Sequence, residues 1–135
     1  MLLPDKERLK RGRAAVICCP LEGCRICVSA CGFTAISLGK DGKPFSDPNK
    51  CVGCGGCAAV CPEMAIRLLK DRGDGTFEVT VPHRGELPEI DDGIELAPFG
   101  EGKPFTGRVI QPIPKRPGAA SALIRAIAPA ELIGG

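Results

Sequence analysis

Tryptophan and tyrosine are absent from this 135-residue sequence, five phenylalanines are its only aromatic side chains, and histidine occurs once. A conventional core would have to be assembled from Ile, Leu, Val and Ala in a chain that also carries 18 Gly and 13 Pro, so something besides apolar burial is expected to hold it together. No apolar run approaches the ~20 residues of a membrane-crossing helix, which argues against direct membrane insertion. Charge of one sign is not in excess: 18 Lys and Arg against 16 Asp and Glu leave a formal +2. The basic runs KERLKRGR and PKRP are short and lack interleaved aromatics, so nucleic acid binding is not expected. Nor can a paired general acid and base, a nucleophile with its base, or a phosphate-cradling glycine loop be assembled. The opening MLLPDKERLKRGR is charged and lacks the apolar run of a signal peptide, so a reducing, cytoplasmic compartment is the expectation.

What the sequence has in abundance is cysteine, nine in all. An odd, tightly clustered set in a reducing compartment is poorly suited to a disulfide framework. Laid on itself with a shift of thirty residues, the sequence repeats. CRICVSACGFTAI (24–36) falls on CGGCAAVCPEMAI (54–66) and matches all three Cys, an Ala and an Ile. Each copy follows a short extended stretch, AAVI at 14–17 and KPFS at 43–46, and precedes a segment expected to make a short helix, FTAISL and EMAIRLL. The turn signal DRGDGT and the alternating FEVTV at 77–81 then predict a closing strand.

Cys51-x2-Cys54-x2-Cys57-x3-Cys61-Pro62 has the spacing of a bacterial ferredoxin run for four-iron clusters. The short spacings let one loop reach three irons of a cubane while the fourth thiol points elsewhere. Gly53, Gly55 and Gly56 let backbone amides approach the inorganic sulfides, and Val52 can shield them from water. Residues 14 to about 81 thus resemble a two-cluster bacterial-type ferredoxin domain. The resemblance implies an α+β, ferredoxin-like, two-fold pseudo-symmetric domain with two [4Fe-4S] clusters and ligation crossed between the repeats. One cluster falls to Cys51, Cys54, Cys57 and Cys31. The other falls to Cys24, Cys27 and Cys61, with a fourth ligand that departs from the pattern, because Leu21 occupies the position equivalent to Cys51. Cys18 and Cys19 are the replacements, and Cys19 is favoured for its shorter return through Pro20 and Gly23. Gly32 stands where the second repeat has Pro62. With each ligated cluster at about −2, the loaded protein would be mildly acidic, and a domain so poor in large apolar residues should need its clusters to fold.

A zinc module is the rival from a different class, since Cys24-x2-Cys27 and Cys51-x2-Cys54 alone would suit a zinc ribbon, but zinc leaves the third and fourth Cys of each repeat unexplained. A dithiol oxidoreductase would want a thioredoxin-like surround. His83 and the pair Asp91 and Asp92 read as surface and turn residues, and Arg25 either raises one cluster's potential or is solvated. Residues 1–13 form a basic N-terminal segment. Residues 82–135 read as a long, extended Pro/Gly-rich arm with a short C-terminal helix over AASALIRAIAPAELIGG, suited to docking on a partner. Electron transfer follows from the resemblance. The arm favours a subunit of a hetero-oligomeric oxidoreductase over a freely diffusing ferredoxin, and FAD or FMN is expected only on larger flavoprotein dehydrogenase subunits, including those acting on amino acids.

Overall fold

The computed structural model describes residues 4–19, 23–99 and 103–129. Asp5 starts the first helix: its carboxylate accepts from the Arg8 N–H at 2.8 Å and caps α1 (Lys6–Arg11), satisfying one of the amides that a helix start leaves without a partner. Leu9 is the one apolar side chain of that turn of charges, and it is buried against Ala14, Val16 and Leu69.

The chain continues through β1 (Ala14–Ile17), α2 (Ile26–Ala30), β2 (Ile36–Leu38), β3 (Pro44–Ser46), α3 (Gly56–Val60), β4 (Ile66–Asp71), β5 (Thr76–His83), β6 (Gly93–Leu96), β7 (Phe105–Ile113) and β8 (Ala122–Pro129). Six strands form one antiparallel sheet in the order β1-β4-β5-β8-β7-β6, and β2 pairs with β3 in a separate hairpin. Strand alternation divides the core between the two faces of the large sheet. Ala14, Val16, Leu69, Phe77, Val79, Ala126 and Ala128 pack with Leu9, Leu96 and Phe99 on one side. Ala15, Ile66, Leu68 and Leu123 pack with Cys27, Cys57, Cys61 and Ala58 on the other. Among the described residues, no helix is long and apolar enough to cross a membrane.

The strands at 14–17, 44–46 and 77–81 lie where the sequence predicts them, but the helices do not. FTAISL and EMAIRLL lead into strands β2 and β4, and the short helices lie one step earlier, inside the cysteine runs. The cause is local: Thr34 (φ 55°) and Met64 (φ 53°) follow each run in the left-handed region, which a right-handed helix cannot traverse.

The expected extended arm is corrected too. Residues 93–96, 105–113 and 122–129 are strands, and β5 itself runs past the anticipated boundary at 81 to His83. The stretch expected as a C-terminal helix is β8 up to Pro129, with 130–135 outside the described residues. Its alanines favour a helix in isolation. However, Leu123, Arg125 and Ile127 alternate with Ile124, Ala126 and Ala128, and β8 pairs along its length with β5 on one side and with β7 on the other, so tertiary pairing overrides propensity. A bulge between Val109 and Gln111 in β7 re-aims the following side chains and brings Gln111 Oε1 to 2.8 Å from Arg125 Nη1.

Candidate metal centre

The thirty-residue sequence repeat is also a repeat of local backbone. Gly23 and Gly53 both have φ 75°, and α2 and α3 occupy equivalent positions. The Cys31 amide donates to the Cys27 carbonyl at 3.2 Å and the Cys61 amide to that of Cys57 at 3.2 Å. Thr34 and Met64 then return their amides to the Cys31 and Cys61 carbonyls, each at 3.4 Å. Cys27 and Cys57, and Cys31 and Cys61, therefore leave the backbone in similar local settings.

In the second loop, glycine is required by space as well as by φ. A Cβ on Gly53 would lie 2.6 Å from both the Cβ and the carbonyl oxygen of Arg13. One on Gly55 (φ 83°) would lie 3.1 Å from Leu123 Cδ1 and 3.2 Å from Leu68 Cδ1. The loop is thus pressed onto β1 from one side and onto β4 and β8 from another.

Cys31, Cys51, Cys54 and Cys57 line one small cavity of about 20 Å³, whose remaining wall is largely apolar and includes Ala15, Phe33, Ile36, Val52 and Leu68. Cys57 is buried and Cys54 exposed, with Cys31 and Cys51 between these extremes. Val52, at 55% exposure, screens little by itself. Burial first, then the negative charges of Cys51 and Cys54, push the Cys57 thiol up to about 12, against the opposing pull of the Ala58 amide. On the other side of the site, burial raises the Cys27 pKa first and the charge of Cys61 adds to it, as does that of Cys24 to a lesser extent. Cys24, Cys27 and Cys61 are therefore electrostatic neighbours, and Cys57 feels Cys27 across the gap between the two groups.

The donors suit thiolate–iron chemistry: they are sulfurs, partly dry and approached by amides. The Ala15 N–H points at Cys51 Sγ at 3.5 Å and the Ala35 N–H at Cys31 Sγ at 3.4 Å, contacts that stabilise anionic sulfur. Among the described residues, no three His, Cys, Asp or Glu side chains converge as ligands of a single ion do. A cubane spreads its four thiolates over separate corners, so convergence on one point is not required of them.

The adjacent thiols differ in exposure. Ala15 and Ile17 of β1 pack on the cysteine-rich side of the sheet and Ala14 and Val16 on the other. Cys18 follows β1 with its amide on the Ala65 carbonyl at 2.8 Å. It is exposed and borders a cleft with Met64, Arg67 and Ile94. Burial lowers the Arg67 pKa, and the charge of Cys18 opposes that shift. Cys19 is half-buried and, like Cys18, borders the cleft beside Ile17, Lys40 and Asp41. Pro20 and Leu21 lie outside the described residues.

Other residues singled out in the sequence are structural in setting. Arg25 is exposed at the start of α2 and makes no side-chain capping bond. A His83 ring nitrogen lies 2.7 Å from the Glu86 carbonyl oxygen. Asp91 pairs with Arg108 at 2.8 Å, and Asp92 accepts from the Glu89 amide at 2.9 Å. Sequence reasoning missed Arg8. It is 8% exposed, and its guanidinium donates to backbone carbonyls that include Cys51's, at 2.7 Å. The available signals were Asp5 as a helix cap and Leu9 as a lone apolar residue among charges, which together mark a helix lying on the core.

The cysteine runs have counterparts in known protein sequences. A 4Fe-4S dicluster domain family matches residues 18–65, and a second 4Fe-4S dicluster domain family matches residues 43–101. The second match contains the run from Cys51 to Cys61 and no later cysteine. The chain is 39% identical over 57 residues to one of the subunits of the Na(+)-translocating ferredoxin:NAD(+) oxidoreductase complex of Acetobacterium woodii, a match that covers 37% of this chain and 17% of that protein. It is 46% identical over 50 residues to the indolepyruvate oxidoreductase subunit IorA of Thermococcus kodakarensis, covering 36% of this chain and 8% of that one. A protein named Ferredoxin 7Fe from Hydrogenibacillus schlegelii is 45% identical over 40 residues, 30% of this chain and 50% of its own length. The chain thus spans half or less of each of these relatives. No solved structure matches it.

Proposed function

We propose that this ferredoxin-type 4Fe-4S chain is the electron-carrying subunit of a larger oxidoreductase and holds two [4Fe-4S] clusters through crossed cysteine sets. The observation that carries the proposal is the cavity shared by Cys31, Cys51, Cys54 and Cys57, which joins a thiol of the first repeat to three of the second. Cys24, Cys27 and Cys61 supply the reciprocal set, and the repeated backbone supports a two-fold pseudo-symmetric pair of sites. Cys19 completes the second set by strand alternation. β1 ends at Ile17; its alternation, extended by two residues, would set Cys18 on the side of Val16 and Arg67 and Cys19 on the side of Ile17, which packs with Cys27 and Cys61.

Each bound cluster supplies one-electron chemistry at a potential set by hydrogen bonds, charge and exposure. The chain's own part is to hold the sulfurs and to keep water from them. Buried Cys27, Cys57 and Cys61 bring their thiols into the apolar layer between α2, α3 and the sheet. Cys57, with its pKa pushed up to about 12 by burial and by the charges of Cys51 and Cys54, would have to give up its proton to serve as a thiolate ligand. Cys54 stays exposed and marks the side open to exchange with a partner.

The names of two relatives, each a subunit of an oxidoreductase, support a hetero-oligomer. A flavin on a larger subunit is the partner chemistry we assign, because flavins link two-electron dehydrogenation to one-electron carriers; an amino acid is the proposed substrate class. In residues 82–135 the docking role is left to the edge strand β6, since β7 and β8 both lie within the sheet. Anaerobic affinity purification of the tagged chain from its native host should recover a larger, flavin-containing subunit in fixed ratio. A loaded chain that migrates alone would favour the free carrier suggested by the relative named as a ferredoxin.

A further inference from the structure

The first helix holds a cation with no carboxylate to match it. Arg8 is 8% exposed. Its Nε donates to the Pro48 carbonyl, Nη1 to that of Gly12 at 2.9 Å, and Nη2 to those of Arg13 at 2.9 Å and Cys51 at 2.7 Å. The Asp5 carboxylate caps the Arg8 backbone amide, and none of the ion pairs among the described residues includes Arg8. Arg13, which also accepts from Arg8 through its carbonyl, is already committed to Glu78 at 2.6 Å.

A guanidinium is always charged, and removing it from water carries a penalty of several kcal/mol that carbonyl dipoles offset only in part. The fork nevertheless grips the loop that presents Cys51, Cys54 and Cys57, through the carbonyls of Pro48 and Cys51. Cys51, whose carbonyl it holds, also lines the cavity with Cys31, Cys54 and Cys57. Resting on the function proposed above, we infer that Arg8 is the internal counter-charge of the cluster held by Cys31, Cys51, Cys54 and Cys57, and that it makes this site the easier of the two to reduce. The reduced state carries one more negative charge, so a fixed cation stabilises it more than the oxidised state. The four carbonyl bonds fix where that charge sits, which lysine, a point donor on a flexible stem, cannot reproduce in full.

The test is voltammetry of the anaerobically purified, iron-loaded full chain and two variants. Arg8→Gln should move one of the two one-electron midpoints negative by about 59 mV, a tenfold loss in that reduction equilibrium. The other midpoint should stay in place, and iron should remain at the wild-type level. Arg8→Lys keeps the charge and should recover at least half of the shift. Unmoved midpoints in Arg8→Gln, equal movement of both steps, or the same shift in the lysine variant would overturn the inference. Should Arg8→Gln fail to assemble, the two ligand variants decide. After reduction by one electron per chain, the paramagnetic signal of the wild type should be lost in Cys54→Ala and retained in Cys24→Ala, and the reverse pattern overturns the inference. A wild-type chain without iron would instead defeat the electron-carrying function itself, so the two failures are distinguishable.

Discussion

Leu123 of β8 reaches back over Gly55, its Cδ1 only 3.1 Å from where a Cβ on that glycine would stand. A residue far along the chain thus forms part of the wall behind the second cysteine loop. Nearby, the amides of Ala120 and Ser121 both donate to the Ala59 carbonyl, at 2.8 and 3.0 Å, which ties the approach to β8 to the end of α3. The C-terminal strand and the cysteine site are one packing unit.

Truncation after Val81 should therefore destroy the site, because it removes the strand that pairs with β5 and buries Leu123, Ile124 and Ala126. The milder change Leu123→Ala is expected to cost about 2–5 kcal/mol as a buried leucine truncation. In thermal unfolding followed at the cluster absorbance, both should lower the transition, with the truncated chain losing its iron outright. A truncated chain with a wild-type spectrum would show that β6, β7 and β8 are an independent appendage.

Two glycines with nearly equal φ separate backbone strain from crowding. A Cβ on Gly73 (φ 79°) would meet nothing within 4 Å, whereas one on Gly53 (φ 75°) would stand 2.6 Å from Arg13. Alanine at 73 should cost about 1–2 kcal/mol for the left-handed backbone and leave iron content unchanged. Alanine at 53 should displace the loop and lower iron by about four per chain. Equal iron in the two variants would mean that the close approach to Arg13 does not matter.

Much of the site was legible because cysteine spacing is a local signal. Whereas the grouping of Cys31 with Cys51, Cys54 and Cys57 came from the family resemblance, the two loops and the strands at 14–17 and 44–46 could be read from short windows. The short runs after Cys31 and Cys61 could not. Ile66, Leu68 and Leu69 are buried on opposite faces of β4, and apolar side chains on both faces erase the period that distinguishes strand from helix. In β8, alanine's helix propensity opposed an alternation that is decisive only once β5 and β7 flank it. Arg8 was illegible for another reason: its partners Pro48 and Cys51 lie 40 and 43 residues away.

Removal of iron should divide the molecule in two. Leu9, Leu69, Phe77, Val79, Leu96 and Phe99 form a core that contains no cysteine, while the opposite core includes Cys27, Cys57 and Cys61. After anaerobic chelation, hydrogen exchange should show protection retained at Val79 and Ala126 and lost over residues 23–31 and 51–61. This refines the expectation that the whole domain depends on its clusters. Loss of protection throughout would restore that expectation.

The adjacent thiols give opposite outcomes. Cys19→Ala should convert one cluster to a three-iron form or lose it, whereas Cys18→Ala, on the side of Arg67, should leave both intact. Electron paramagnetic resonance of the oxidised variants distinguishes the cases, since only the three-iron form is paramagnetic there. A three-iron signal in Cys18→Ala alone would transfer the ligand to Cys18.

The most direct measurement is the metal content of the anaerobically purified wild-type chain, with iron, acid-labile sulfide and zinc determined on the same sample. Crossed ligation by Cys19, Cys24, Cys27 and Cys61 and by Cys31, Cys51, Cys54 and Cys57 requires about eight irons and eight sulfides per chain, with no stoichiometric zinc. About four irons, or zinc in place of iron, would contradict it.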